Sequence, residues 1–123
     1  MHAVDSDRAH AVVQLRKKLP PDRNGISRDF ILSGHWIHVH TGEYEDGTLG
    51  EIFIEVAKAG STMSGLLDNF ATAVSLGLQY GVPLHVLAEK FTGTSFEPAG
   101  VADGQYASSV LDLIFCWLME HYV

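Results

Sequence analysis

Apolar and polar positions alternate from Glu51 to Val56, with Ile52, Ile54 and Val56 on one side and Glu51, Phe53 and Glu55 on the other. That period of two belongs to a strand with one buried face. Beyond it the period changes: Met63, Leu66, Leu67, Phe70, Val74 and Leu78 recur every three or four residues, which draws an apolar stripe down a helix able to lie on the sheet. Ser61 or Thr62 supplies a hydroxyl to cap its start. Gly81 tolerates the left-handed conformation that ends a helix, and Pro83 cannot continue the ladder but can open the next helix. Leu84, Leu87, Ala88 and Phe91 then face one way.

The same patterns predict strands near 28–33, 36–43 and 50–56 and helices near 62–80, 83–91 and 106–121. A helix or arm is expected over 1–19, ended by Pro20-Pro21, and one domain over 20–123. Glu45-Asp46-Gly47 offers a turn with a glycine for positive φ, so the flanking strands pair as an antiparallel hairpin. Strands grouped first and helices afterwards make an α+β fold: a three-stranded antiparallel sheet against a layer of two consecutive helices plus a C-terminal helix. That last helix is apolar on more than one face, since Leu113, Phe115 and Trp117 stand beside the row Val110, Leu111, Ile114 and Leu118. Cover from a second subunit, hence a homo-oligomer, is expected there; the alternative is a helix lodged in the core.

Charge narrows the partners. Residues 1–28 hold six cations against three carboxylates, whereas 29–123 hold only Lys58 and Lys90 against twelve. An acidic body repels a phosphate backbone, so nucleic acid is not expected as a partner. Arg16, Lys17 and Lys18 read as a solvated helix end, with contact to nucleotide phosphates or an acidic partner as the alternative. No apolar run approaches the roughly 20 residues of a membrane span, and the first ten residues are too polar for a signal-peptide core, so a cytoplasmic protein with no membrane partner is expected. The single cysteine, Cys116, sits in LDLIFCWL, where a buried thiol is the ordinary expectation.

Three stretches carry candidate chemistry. In His35-Trp36-Ile37-His38-Val39-His40, strand geometry puts His38 and His40 on one face with Trp36 and sends His35 to the other. Two imidazoles make a metal site only with a third ligand, for which Glu51, Glu55 and His85 are candidates; solvent-facing histidines on an open sheet face are the ordinary reading and a metal site the minor one. The loop Lys58 to Gly65 offers free helix N-terminal N–H groups at Gly60 and beyond, hydroxyls on Ser61, Thr62 and Ser64, and the Lys58 ammonium, together a possible anion site. Its spacing is not that of a Walker A loop, and an ordinary cap with close strand-to-helix packing at Gly60 and Gly65, Asp68 being satisfied by the same hydroxyls, is the favoured reading. In FTGTSFEPAG, Phe96 is placed to plug the core and Glu97 to hold the loop.

The strings GEYEDGTLGEIFIEVAKAGSTMSGLLDNFATAVSLGLQYGVPLHVLAEKF and FEPAGVADGQYASSVLDLIFCWL resemble the TSCPD-type domain near the C-terminus of adenosylcobalamin (vitamin B12)-dependent, class II ribonucleotide reductases, over roughly residues 16–118. The histidine-rich strand departs from that pattern. Similar reductases use a radical-bearing cysteine, a redox cysteine pair, a cobalamin site in a large barrel and a further cysteine pair on a mobile tail. One thiol cannot cycle as an intramolecular dithiol. The resemblance therefore implies a non-catalytic accessory or regulatory domain in deoxyribonucleotide supply, with no cobalamin bound by this chain and a reductase catalytic chain as a possible partner. Two alternatives stand beside it: a small-ligand or nucleotide-phosphate module using the Lys58 to Gly65 loop, and a metal-dependent protein using His38 and His40.

Overall fold

The computed structural model describes residues 15–122, and most of the expected N-terminal helix or arm lies outside them. Residues 15–20 have no regular secondary structure, so Arg16, Lys17 and Lys18 are not a helix end as expected. Lys17 N–H donates to Gln79 O at 2.9 Å and its ammonium sits 4.6 Å from the centre of the Tyr44 ring.

Strands β1 (Ser27–Leu32), β2 (His35–Glu43) and β3 (Leu49–Val56) form the expected three-stranded antiparallel sheet in the order β1-β2-β3. Helices α1 (Ser61–Gln79), α2 (Leu84–Phe91) and α3 (Val110–Tyr122) supply the helical layer, so the fold is α+β. Alternation places Phe30 and Leu32, Ile37 and Val39, and Ile52 and Ile54 in one core face, while Asp29, Trp36, His38, His40 and Phe53 lie on the opposite, open face. Helix α1 ends as its sequence predicts, in a Schellman motif: Gly81 stands at φ 98°, its N–H bonds Leu78 O, and Val82 N–H bonds Gly77 O.

Helix α1 also runs beside the outer border of β3. The Ser75 hydroxyl accepts the Ile52 N–H at 2.9 Å and donates to Ile52 O at 3.2 Å, and Gln79 Nε2 donates to Gly50 O at 3.0 Å. Side chains of a helix thus take the place of a fourth strand.

Further expectations need correction. Neither Ser61 nor Thr62 caps α1: Gly60 is the N-cap and no side chain bonds there. Leu66, assigned to the apolar stripe, is 67% exposed; the buried row is Leu67, Ala71, Val74 and Leu78. The last helix begins at Val110, not 106, because a second hairpin precedes it, β4 (Gly100–Ala102) paired with β5 (Gln105–Ala107) around Asp103-Gly104. Phe115 and Trp117 do not await a subunit: both are buried within this chain, Phe115 against Phe70 and Phe91, and Trp117 edge-to-face with Phe30. The second apolar face of α3 is covered by the chain's own helices and sheet, and Leu113 is half-buried.

The end of α3 is tied to the sheet through a polar knot. Tyr122 OH donates to Glu43 Oε2 at 2.5 Å and lies 2.7 Å from Thr41 Oγ1, which accepts the Ile26 N–H. Burial and then the bond to the Glu43 carboxylate push the Tyr122 phenol up to about 12. An unfolded tyrosine ionises near about 10. The folded state therefore keeps its proton longer, so this stabilisation is complete below that pH and is lost as the pH rises toward the folded value. The urea midpoint of the native protein is expected to fall relative to that of Tyr122→Phe across this alkaline window; parallel profiles would refute the assignment.

Candidate functional site

The loop joining β3 to α1 turns on Lys58, which adopts φ 60°, and on Ala57, whose N–H bonds Trp36 O. Lys58, Gly60, Ser61, Thr62 and Ser64 are all exposed. Ser64 N–H is taken by Gly60 O, and the first turn of α1 carries no acidic residue. The loop is brought together as expected but stands on an open surface. Asp68 is exposed and is not enclosed by these hydroxyls.

His38 and His40 fall on the open sheet face as the strand period requires, each engaged by its neighbour across the β1–β2 ladder. His38 Nδ1 lies 2.5 Å from Asp29 Oδ1 and its ring stacks on Trp36, with centroids 5.6 Å apart. His40 Nδ1 lies 2.6 Å from Ser27 Oγ, and the ring leans on Phe53. Of the candidate third ligands, Glu51 is held by Arg23 at 2.5 Å, Glu55 faces His38 in register, and His85 belongs to α2 in the helical layer. Among the described residues no three His, Cys, Asp or Glu side chains gather as metal ligands.

A third place was not anticipated. The β4–β5 hairpin stands beside α3, and between them lies a groove of about 230 Å³ lined by Arg28, Tyr106, Asp112, Cys116, Trp117 and Glu120, among others. Cys116 is exposed there, not buried as expected, because Asp112, Cys116 and Glu120 form the outward row of α3. Although the side chain reaches solvent, partial desolvation by the surrounding groove and then the Asp112 charge push the Cys116 thiol up, which disfavours its thiolate. Asp112 works as a local anchor: its carboxylate accepts the Gly93 N–H at 2.7 Å and the Ser108 N–H at 3.0 Å, while its own N–H bonds Ser109 Oγ. Burial raises the Asp112 carboxyl, but these bonds outweigh it and hold the group below the usual carboxylate range. Phe96 is 42% exposed and does not plug the core; its N–H bonds Ser108 O, and Glu97 is exposed. The Asp103-Gly104 dipeptide was the signal for this hairpin.

Comparison with known proteins gives a consistent family. The model of the TSCPD domain matches residues 12–122. A vitamin B12-dependent ribonucleotide reductase of Bradyrhizobium diazoefficiens is 47% identical over 116 residues, 91% of this chain and 9% of the relative. Its counterpart in Agrobacterium fabrum is 46% identical over 112 residues, 88% of this chain and 9% of the relative. That of Streptantibioticus cattleyicolor is 45% identical over 104 residues, 82% of this chain and 17% of the relative. No solved structure gives a significant match.

Proposed function

We propose, from the premise that the chain belongs to the TSCPD domain family, that it is a non-catalytic binding module serving vitamin B12-dependent ribonucleotide reduction, and through it deoxyribonucleotide supply for DNA synthesis. The observation that carries this reading is the 47% identity across 91% of the chain to a reductase of which it spans only 9%. Those residues form a small α+β body with a single thiol, Cys116. One such thiol cannot run the dithiol cycle that ribonucleotide reduction needs. The module's contribution is to hold or regulate a catalytic chain, which supplies the cobalamin and the redox cysteines, in the cytoplasm.

Tagged 123-residue protein, used to draw partners from native lysate, is expected to recover a vitamin B12-dependent reductase chain identified by mass spectrometry. Purified reductase should then show altered turnover when the module is added. Recovery of no reductase, or a reductase whose turnover the module leaves unchanged, would overturn the accessory role.

A further inference from the structure

The open face of the sheet is not the polar surface that a solvated antiparallel sheet ordinarily presents. Ile31 is 59% exposed and stands opposite Trp36 in the β1–β2 register. The row continues beyond β1. Ser33 Oγ donates to Ala99 O and Arg28 pairs with Asp103, so β4 runs antiparallel beside β1 and brings Val101 level with Ile31. Val101 in turn pairs with Tyr106 of β5, and the two are 65% and 69% exposed. Tyr106, Val101, Ile31 and Trp36 therefore draw one apolar stripe across four strands, of the kind that marks an interaction surface.

A charged row lies alongside this stripe. Asp29, His38 and Glu55 are neighbours across β1, β2 and β3, and Asp29 and His38 stand two residues along their strands from Ile31 and Trp36, hence about 7 Å away. Asp29 Oδ1 is engaged by His38, but 59% of the Asp29 side chain is exposed, and Glu55 is exposed as well. Among the described residues neither carboxylate pairs with a lysine or arginine, because Arg23 is taken by Glu51 and Arg28 by Asp103. The face thus offers an apolar row and, beside it, an acidic row whose charge is unmet.

The two rows define what fits over them. Neighbouring strands lie about 4.8 Å apart, close to the pitch of about 5.4 Å of an α-helix, so a helix laid across the strands sets one apolar side chain per turn on the stripe and the adjoining row of its surface over the carboxylates. Charge complementarity asks that adjoining row for cations. A second copy of this chain is a poor source of them: beyond residue 28 it has only Lys58 and Lys90, and its Arg16, Lys17, Arg23 and Arg28 are engaged by Gln79, Tyr44, Glu51 and Asp103 of their own chain. We propose that the open sheet face is a docking site for an amphipathic helix of a partner protein, its apolar row on Tyr106, Val101, Ile31 and Trp36 and its lysines or arginines on Asp29 and Glu55. The site goes beyond the reductase reading, which names no surface, and it holds whichever protein carries the helix.

The full chain, labelled with nitrogen-15, would be titrated with acetyl-KLLKKLLKKLLK-amide, a helix with leucines on one face and lysines on the other, and with its glutamate counterpart acetyl-ELLEELLEELLE-amide. Saturable movement is expected at the amides of Asp29, Ile31, His38 and Val101 and at the Trp36 indole, with the glutamate peptide about tenfold weaker or more, as opposite charge across the face requires. Ile31→Ser and Asp29→Asn, both at exposed positions, should each weaken the lysine peptide severalfold. Leu66→Ser, which removes an equally exposed leucine from α1 (67% exposed), should not. Equal binding of the two peptides, no saturable movement, movement confined to other surfaces, or an effect of Leu66→Ser equal to that of Ile31→Ser would overturn the proposal. So would light scattering showing a dimer of the unliganded chain that Ile31→Ser dissolves, since the second copy would then be the occupant.

Discussion

Phe115→Ala is expected to remove about 3–5 kcal/mol of stability, the range for deleting a buried aromatic ring without collapse of the surroundings. Phe115 is fully buried and its ring lies 5.3 Å from that of Phe91 and 6.3 Å from that of Phe70, which themselves meet edge-to-face at 5.0 Å. One ring therefore joins α3 to both α1 and α2, and truncation leaves a void that three helices would have to close together. For a domain of this size the melting temperature should drop by roughly 10–25 °C. Phe115→Leu keeps most of the volume and should cost about half as much. A fall under about 1 kcal/mol for the alanine variant in urea titration would show that the cluster closes around the gap, against this packing.

Gly25→Ala should be the second severe substitution, for the opposite reason. A Cβ at Gly25 would stand 1.9 Å from the carbonyl oxygen of Thr41, a backbone atom that cannot swing aside as a side chain can. On either side of Gly25 the incoming segment is bonded to β2: Thr41 N–H to Ile26 O and Glu43 N–H to Asn24 O, each at 2.9 Å. One methyl group therefore forces this pairing apart, at an expected cost of about 3 kcal/mol. Hydrogen exchange gives the local readout, since the amides of Thr41 and Glu43 should lose protection before those of Ile37 and Val39. Retained protection at Thr41 with unchanged stability would contradict the tight approach.

What could be read in advance was whatever a single period expresses. Ile52, Ile54 and Val56 announced β3, and Gly81 with Pro83 announced the boundary between α1 and α2, because both signals are local. The spacing of Leu66 fits the apolar stripe as well as that of Leu67; only docking on the sheet decides which row turns inward, and it buries Leu67. The apolar neighbours of Cys116 in LDLIFCWL point to burial, whereas the polar row Asp112, Cys116, Glu120 at intervals of four points outward, as the fold has it. Strands of three residues are too short to show alternation, so Asp103-Gly104 alone pointed to the second hairpin. Phe115's enclosure and the approach of Gly25 to Thr41 depend on elements far apart in the chain, and no local period records them.

The row of contacts from α1 to β3 has a consequence for behaviour at high concentration. An exposed strand border is a template on which another chain can add its own strand, and such additions propagate into fibrils. Here the outward N–H and C=O of Ile52 are both engaged by Ser75, and Gly50 O is engaged by Gln79. An incoming strand would have to evict a helix to find those groups. Two polar side chains on one helix face thus protect the folded protein against aggregation along this border, a service to the crowded cell separate from any partner it meets.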